Sequence, residues 1–127
     1  MKNSIYSIAI ILFATMVVAC KKENMKPAVN GYWTGTAVAS GSSSPGFIGL
    51  LYNSNGTIRT YNNPDTTLSD KYDGTYSSDP DSIRTTIITL SSTIFLSAKL
   101  NSTGDNMEGT ARNSSSSMTA TYSVTKL

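Results

Sequence analysis

The sequence predicts an all-β fold, an eight-stranded antiparallel up-and-down β-barrel, from three observations. Short segments rich in β-branched and aromatic residues recur along the chain, each bounded by Gly, Pro, Asn, Asp or Ser. Apolar and polar residues alternate with period two within most of them, the pattern of a sheet with one buried face. No segment of roughly 10–15 residues carries helical periodicity, which argues against a βαβ sheet.

The elements follow in order. The first strand is predicted at Tyr32–Ala39 and ends at Gly41-Ser42-Ser43-Ser44-Pro45-Gly46. The second, Phe47–Asn53, is apolar on both faces, so either its outer side is covered or it faces a partner or the membrane. Asn53-Ser54-Asn55-Gly56 closes it, the Asn-Gly pair supplying the positive φ of a tight turn. Thr57–Tyr61 is the third strand, ended by Asn62-Asn63-Pro64-Asp65, and Lys71–Ser77 the fourth, ended by Ser78-Asp79-Pro80-Asp81. Ser82–Leu90 and Thr93–Leu100 flank the short turn Ser91-Ser92. Met107–Arg112 follows Ser102-Thr103-Gly104-Asp105, and Met118–Thr125 follows Asn113 to Ser117.

One phase of each strand gathers Trp33, Gly35 and Ala37; Ile58 and Thr60; Tyr72, Gly74 and Tyr76; Ile83, Thr85 and Ile87. It continues with Ile94, Leu96, Ala98 and Leu100; Met107, Gly109 and Ala111; Met118, Ala120, Tyr122 and Val124. No charge falls in that set, whereas Arg59, Asp73, Arg84, Lys99, Glu108 and Arg112 occupy the opposite phase. Such a split is what a closed sheet with an apolar interior requires. Closure also removes free edges, and an eight-stranded barrel has an interior that side chains fill or that holds one small ligand. The many small inward residues fit either case, since they leave room or permit tight curvature.

Composition narrows the function. The chain has no histidine, which removes the commonest general base and metal ligand and the Ser-His and Cys-His nucleophile pairs. The carboxylates that lie close in sequence, Asp70 with Asp73 and Asp79 with Asp81, are read as turn and strand-margin residues. No phosphate loop, metal cluster or nucleotide fingerprint is present, so no enzyme activity and no cofactor is expected. A formal net charge of +2 gives no electrostatic case for nucleic acid.

The N-terminus carries an address. Met1-Lys2-Asn3-Ser4 precedes an apolar run from Ile5 to Val18, followed by Val17-Val18-Ala19-Cys20, and Cys20 is the only cysteine. The run is shorter than the roughly 20 residues of a membrane-spanning helix. It has the layout of a signal peptide, and its close resembles the lipobox of bacterial lipoproteins. The resemblance implies cleavage of residues 1–19, acylation of Cys20, and a membrane anchor made by the acyl chains. Residues 20–30 are then a tether containing Lys21, Lys22 and Lys26, and residues 31–127 the barrel domain. Lys21 after the acylated cysteine does not resemble the Asp of the inner-membrane retention signal, which implies the outer membrane, facing the periplasm or the cell surface.

Gly31-Tyr32-Trp33-Thr34-Gly35-Thr36 resembles the Gly-X-Trp start of lipocalin-like domains. Asn53-Ser54-Asn55-Gly56-Thr57-Ile58, Asp73-Gly74-Thr75-Tyr76, Leu100 to Gly109 and Thr121 to Lys126 also look like the small lipocalin-like lipoproteins common in Bacteroidota. The likeness spans Gly31 to Leu127. It implies that Trp33 closes one end of the barrel with Lys126 laid over it, Arg112 being the poorer candidate. It also implies a small hydrophobic molecule or a glycan as ligand, with Trp33, Tyr52, Tyr72, Tyr76 and Tyr122 as the contacting side chains at the interior or mouth. The alternative is a solid barrel, a structural or interaction lipoprotein or an inhibitor, meeting an envelope protein partner through its outer face or loops. Asp65-Thr66-Thr67 and Asp81-Ser82-Ile83 resemble the O-glycosylation acceptors of the same phylum, at Thr66 and Ser82.

Overall fold

The computed structural model describes residues 28–80 and 82–127. The segment read as a signal peptide, Cys20 and Asp81 lie outside the described residues. Eight strands run in chain order: β1 (Gly31–Ala39), β2 (Gly46–Tyr52), β3 (Thr57–Tyr61), β4 (Lys71–Ser78), β5 (Ile83–Ile88), β6 (Thr93–Leu100), β7 (Asn106–Asn113) and β8 (Thr119–Lys126). Each pairs antiparallel with the next, and β1 also pairs with β8, from Trp33↔Lys126 to Ala39↔Ala120, so the barrel is closed. The β1–β2, β3–β4, β5–β6 and β7–β8 connections stand at one end, the rim. The other three connections share the opposite end, the floor, with Ala28 and the C-terminus.

The predicted inward phase is the phase that is buried. Trp33, Leu50, Tyr52, Ile58, Met107 and Val124 are the largest enclosed side chains, and Trp33, Leu50 and Met107 expose 0% of their surface. A residue with no accessible surface touches no void large enough for water, so the floor half of the barrel is packed solid. Toward the rim, Ala37, Ile48, Tyr72, Ile94 and Ala111 are partly buried against that core. Three inward glycines set the curvature. A Cβ on Gly35, Gly74 or Gly109 would collide with the backbone carbonyl oxygen of Ser123, Thr86 or Ser97 on the neighbouring strand. The strands approach too closely there for any side chain.

The outward face of β2 is covered by the chain itself. A Cβ on Gly49 would lie 2.7 Å from the Tyr32 hydroxyl oxygen and 3.2 Å from the Phe47 ring. Tyr32 in turn meets Tyr61 edge to face, with ring centroids 5.8 Å apart. Aromatic side chains from the flanking strands thus fill the gap over a sheet glycine.

Three details depart from the alternation pattern. Met118 does not join the interior: β8 begins one residue later, and Met118 is 60% exposed at the rim. The fifth strand stops at Ile88, because Thr89 folds back to Ser92, its backbone N–H and its hydroxyl both donating to the Ser92 carbonyl at 2.9 Å. Val29, in the stretch read as tether, is buried in the core.

Candidate functional site

The floor is built around Trp33. Strand β1 points its indole inward, and Nε1 donates to the Val29 carbonyl at 2.7 Å, folding the chain before β1 across the barrel end. Lys126, paired with Trp33 across the β1–β8 seam, places Nζ 5.6 Å from the indole ring centroid and donates to the Ala28 carbonyl at 2.9 Å. Its stem also packs over Gly31, where an added Cβ would lie 2.8 Å from Cε. The cation therefore joins the last strand, the first strand and the segment before it. Arg112 lies elsewhere, over the Phe95 ring at 5.0 Å on the outer wall.

Tyr52, Tyr76 and Tyr122 lie near one another inside the barrel, and Tyr72 lies nearer the rim. Tyr52 sits enclosed near the floor, its hydroxyl 3.3 Å from Thr85 Oγ1 and 3.9 Å from Met107 Sδ. Burial pushes its phenol up to about 12, against the Thr85 hydrogen bond, with Tyr76 adding slightly. Tyr76 packs edge to face on Tyr52 at 4.8 Å and spends its hydroxyl on the Asn53 carbonyl at 2.7 Å, bracing the β2–β3 turn. Tyr72 is half-buried toward the rim, and its carbonyl accepts from Thr60 Oγ1 at 3.2 Å. Tyr122 is buried at mid-barrel, and its hydroxyl has no hydrogen-bond partner among the described residues. Burial first, and then Tyr52, raise its phenol far above the ordinary range.

Asp65, Asp70 and Asp73 are committed to local structure. Asp73 receives a two-pronged ion pair from Arg59, its direct cross-strand partner, at 2.6 and 2.8 Å, which holds its carboxyl low. Asp70 accepts instead from the Asn62 amide at 3.0 Å, so the two carboxylates do not act as a pair. Asp65 accepts the Thr67 hydroxyl at 2.6 Å, and its carboxyl is lowered by that bond. Thr66, beside it, is exposed in the β3–β4 loop, and Ser82 is half-buried at the floor with its carbonyl accepting from the Asp79 N–H at 2.8 Å. Among the described residues no three His, Cys, Asp or Glu side chains converge as metal ligands.

A concavity lies on the outer wall. A groove of about 840 Å³ crosses β5, β6, β7, β8 and the end of β1. Two cross-strand rows of the outward phase line it. One runs Thr86, Phe95, Arg112, Thr119; the next runs Arg84, Ser97, Thr110, Thr121, Val38. A second hollow of about 540 Å³ continues it toward the floor, sharing Val38, Thr110 and Thr121. Short Thr side chains on β7 and β8, Thr110, Thr119 and Thr121, lie in the groove beside the longer Phe95 and Arg112. One sequence signal points here: Phe95 is apolar on a face of β6 otherwise formed by Thr93, Ser97 and Lys99, and it is 37% exposed. No protein-family model, no curated protein and no solved structure matches this chain.

Proposed function

We propose that the chain is a lipid-anchored, lipocalin-like binding or interaction lipoprotein whose barrel is solid and whose target is engaged through the outer surface. The observation that carries this is the enclosure of the floor half of the interior: Trp33, Leu50 and Met107 expose 0% of their surface, and Tyr52 only 1%. Little room is left there for cargo, whereas the outer wall offers a groove and the rim offers apolar side chains. Leu68, Ile88, Leu90 and Met118 are exposed around the rim, with Leu90 standing fully clear of the protein. The described chain enters the barrel at the floor, the end nearest an anchor at Cys20. Glycosylation at Thr66 fits its exposed loop position, and Ser82 is the less accessible of the two acceptors.

A second reading, a small hydrophobic ligand or glycan held inside, draws support from the unpartnered Tyr122 hydroxyl. The anchor is tested by labelling cells that express the full chain with an alkyne-bearing palmitate. Label on the wild-type protein, lost together with membrane association in Cys20→Ser, is the expected result. An unlabelled protein that stays in the soluble fraction contradicts the anchor.

A further inference from the structure

We propose that the groove across β5–β8 binds an acidic polysaccharide, a sugar chain carrying carboxylates. This names the ligand class for the outer-surface binding proposed above and rests on that reading. Arg84 and Arg112 line the groove with no carboxylate among the described residues, and the hollow that continues it toward the floor adds Glu108 beside its cross-strand partner Lys99. Arg84 lies beside Ser97 on β6, while Arg112 lies two strands away and two residues along β7 from Thr110. Strand and residue spacings put their Cα atoms roughly 12 Å apart, a separation that suits charges on successive units of a chain better than one small anion. Guanidinium forks match carboxylates in planar, two-pronged fashion.

Between the two arginines stands Phe95, with Arg112 held over its ring at 5.0 Å. A guanidinium stacked on an aromatic ring is oriented while its edge N–H groups stay available. The exposed part of the ring offers an apolar face of the kind on which the C–H side of a sugar packs. The lining also carries hydroxyls, from Ser97, Thr110 and Thr121, set among apolar Val38, Leu96, Ala111 and Ala120, and each hydroxyl both donates and accepts as sugar hydroxyls require. A peptide strand has no place to add here, because closure leaves β1 and β8 paired with each other.

The test is calorimetric titration of the full chain in detergent with polygalacturonate, and with neutral dextran as the comparison. Binding of polygalacturonate, weakening as salt is raised, is expected, with no heat from dextran. Arg112→Ala and Phe95→Ala are each expected to lower affinity by about tenfold, the loss of one charge-assisted or stacking contact. Tyr32→Ala, on the other side of the barrel, is expected to leave it unchanged. Both groove side chains point outward, and matching circular dichroism of the variants confirms that they fold. Absence of binding, equal binding of dextran, or affinity indifferent to Arg112 and Phe95 overturns the proposal. Its failure is separable from that of the parent reading. A small molecule released from the protein only on unfolding refutes the solid barrel, whereas a cargo-free protein that ignores polygalacturonate refutes the ligand class alone.

Discussion

Lys126 and Trp33 are cross-strand neighbours on the seam that closes the barrel, and the lysine Nζ lies 5.6 Å from the indole centroid while donating to the Ala28 carbonyl. Two weak contacts there fasten three segments of chain. Lys126→Met keeps the apolar stem and removes the charge, and is expected to cost about 1 kcal/mol, the scale of an exposed cation–π contact plus a hydrogen bond. Trp33→Ala empties the floor and is expected to cost about 3–5 kcal/mol. Urea unfolding midpoints measure both, and equal losses for the two variants would show that the lysine does more than brace the indole.

The inward glycines give a sharper contrast. Gly35→Ala and Gly109→Ala set a methyl against a neighbouring backbone carbonyl that cannot move without opening the ladder. Each is expected to lose about 1–3 kcal/mol or more by overpacking. Gly46→Ala, in β2, meets only the Ala37 carbonyl at 4.0 Å and is expected to be neutral. Thermal melts of the three variants decide this, and a tolerated Gly35→Ala would mean that the β1–β8 seam opens to admit a methyl.

The enclosed tyrosines make stability depend on alkaline pH. Burial raises the Tyr52 phenol from 10.0 to about 12, so the folded state holds that proton more tightly than the unfolded chain. The contribution is complete below the unfolded value and declines as pH rises from 10.0 through about 12. Tyr122 is shifted in the same direction, chiefly by burial. Unfolding midpoints measured from about pH 9 to about pH 12 are expected to fall, and to fall less in Tyr52→Phe. At neutral pH, Tyr122→Phe removes a buried hydroxyl that lacks a partner, and is expected to raise stability by about 1 kcal/mol. A destabilised Tyr122→Phe would show that the hydroxyl is satisfied by bound water.

Much of the barrel is legible in the sequence because period-two patterning and turn chemistry are local properties. Asn55-Gly56 marks the β2–β3 turn, where Gly56 has φ 83°, and Ser102-Thr103-Gly104-Asp105 the β6–β7 turn, where Gly104 has φ 79°. The inward phase of β5, Ile83, Thr85 and Ile87, can be read residue by residue from the strand. What escapes that kind of reading depends on register between strands. Nothing local to β2 says that Tyr32 covers Gly49, or that Arg112 falls beside Phe95 to form a groove wall. Burial of Val29 is equally non-local, since the indole N–H of Trp33 donates to the Val29 carbonyl and holds the chain across the floor. The tyrosines show the limit most plainly. Their strands and faces follow from spacing, but that Tyr52 packs edge to face on Tyr76 and lies near Tyr122 depends on the register of β2, β4 and β8.

The most direct test of the solid barrel is the mass of the full chain purified in detergent from the cells that express it, recorded first under native conditions and then after unfolding. A packed interior predicts one mass at both settings, that of the polypeptide with its acyl chains and any glycans. A small molecule seen only in the native spectrum and released on unfolding would contradict it and make the barrel a carrier.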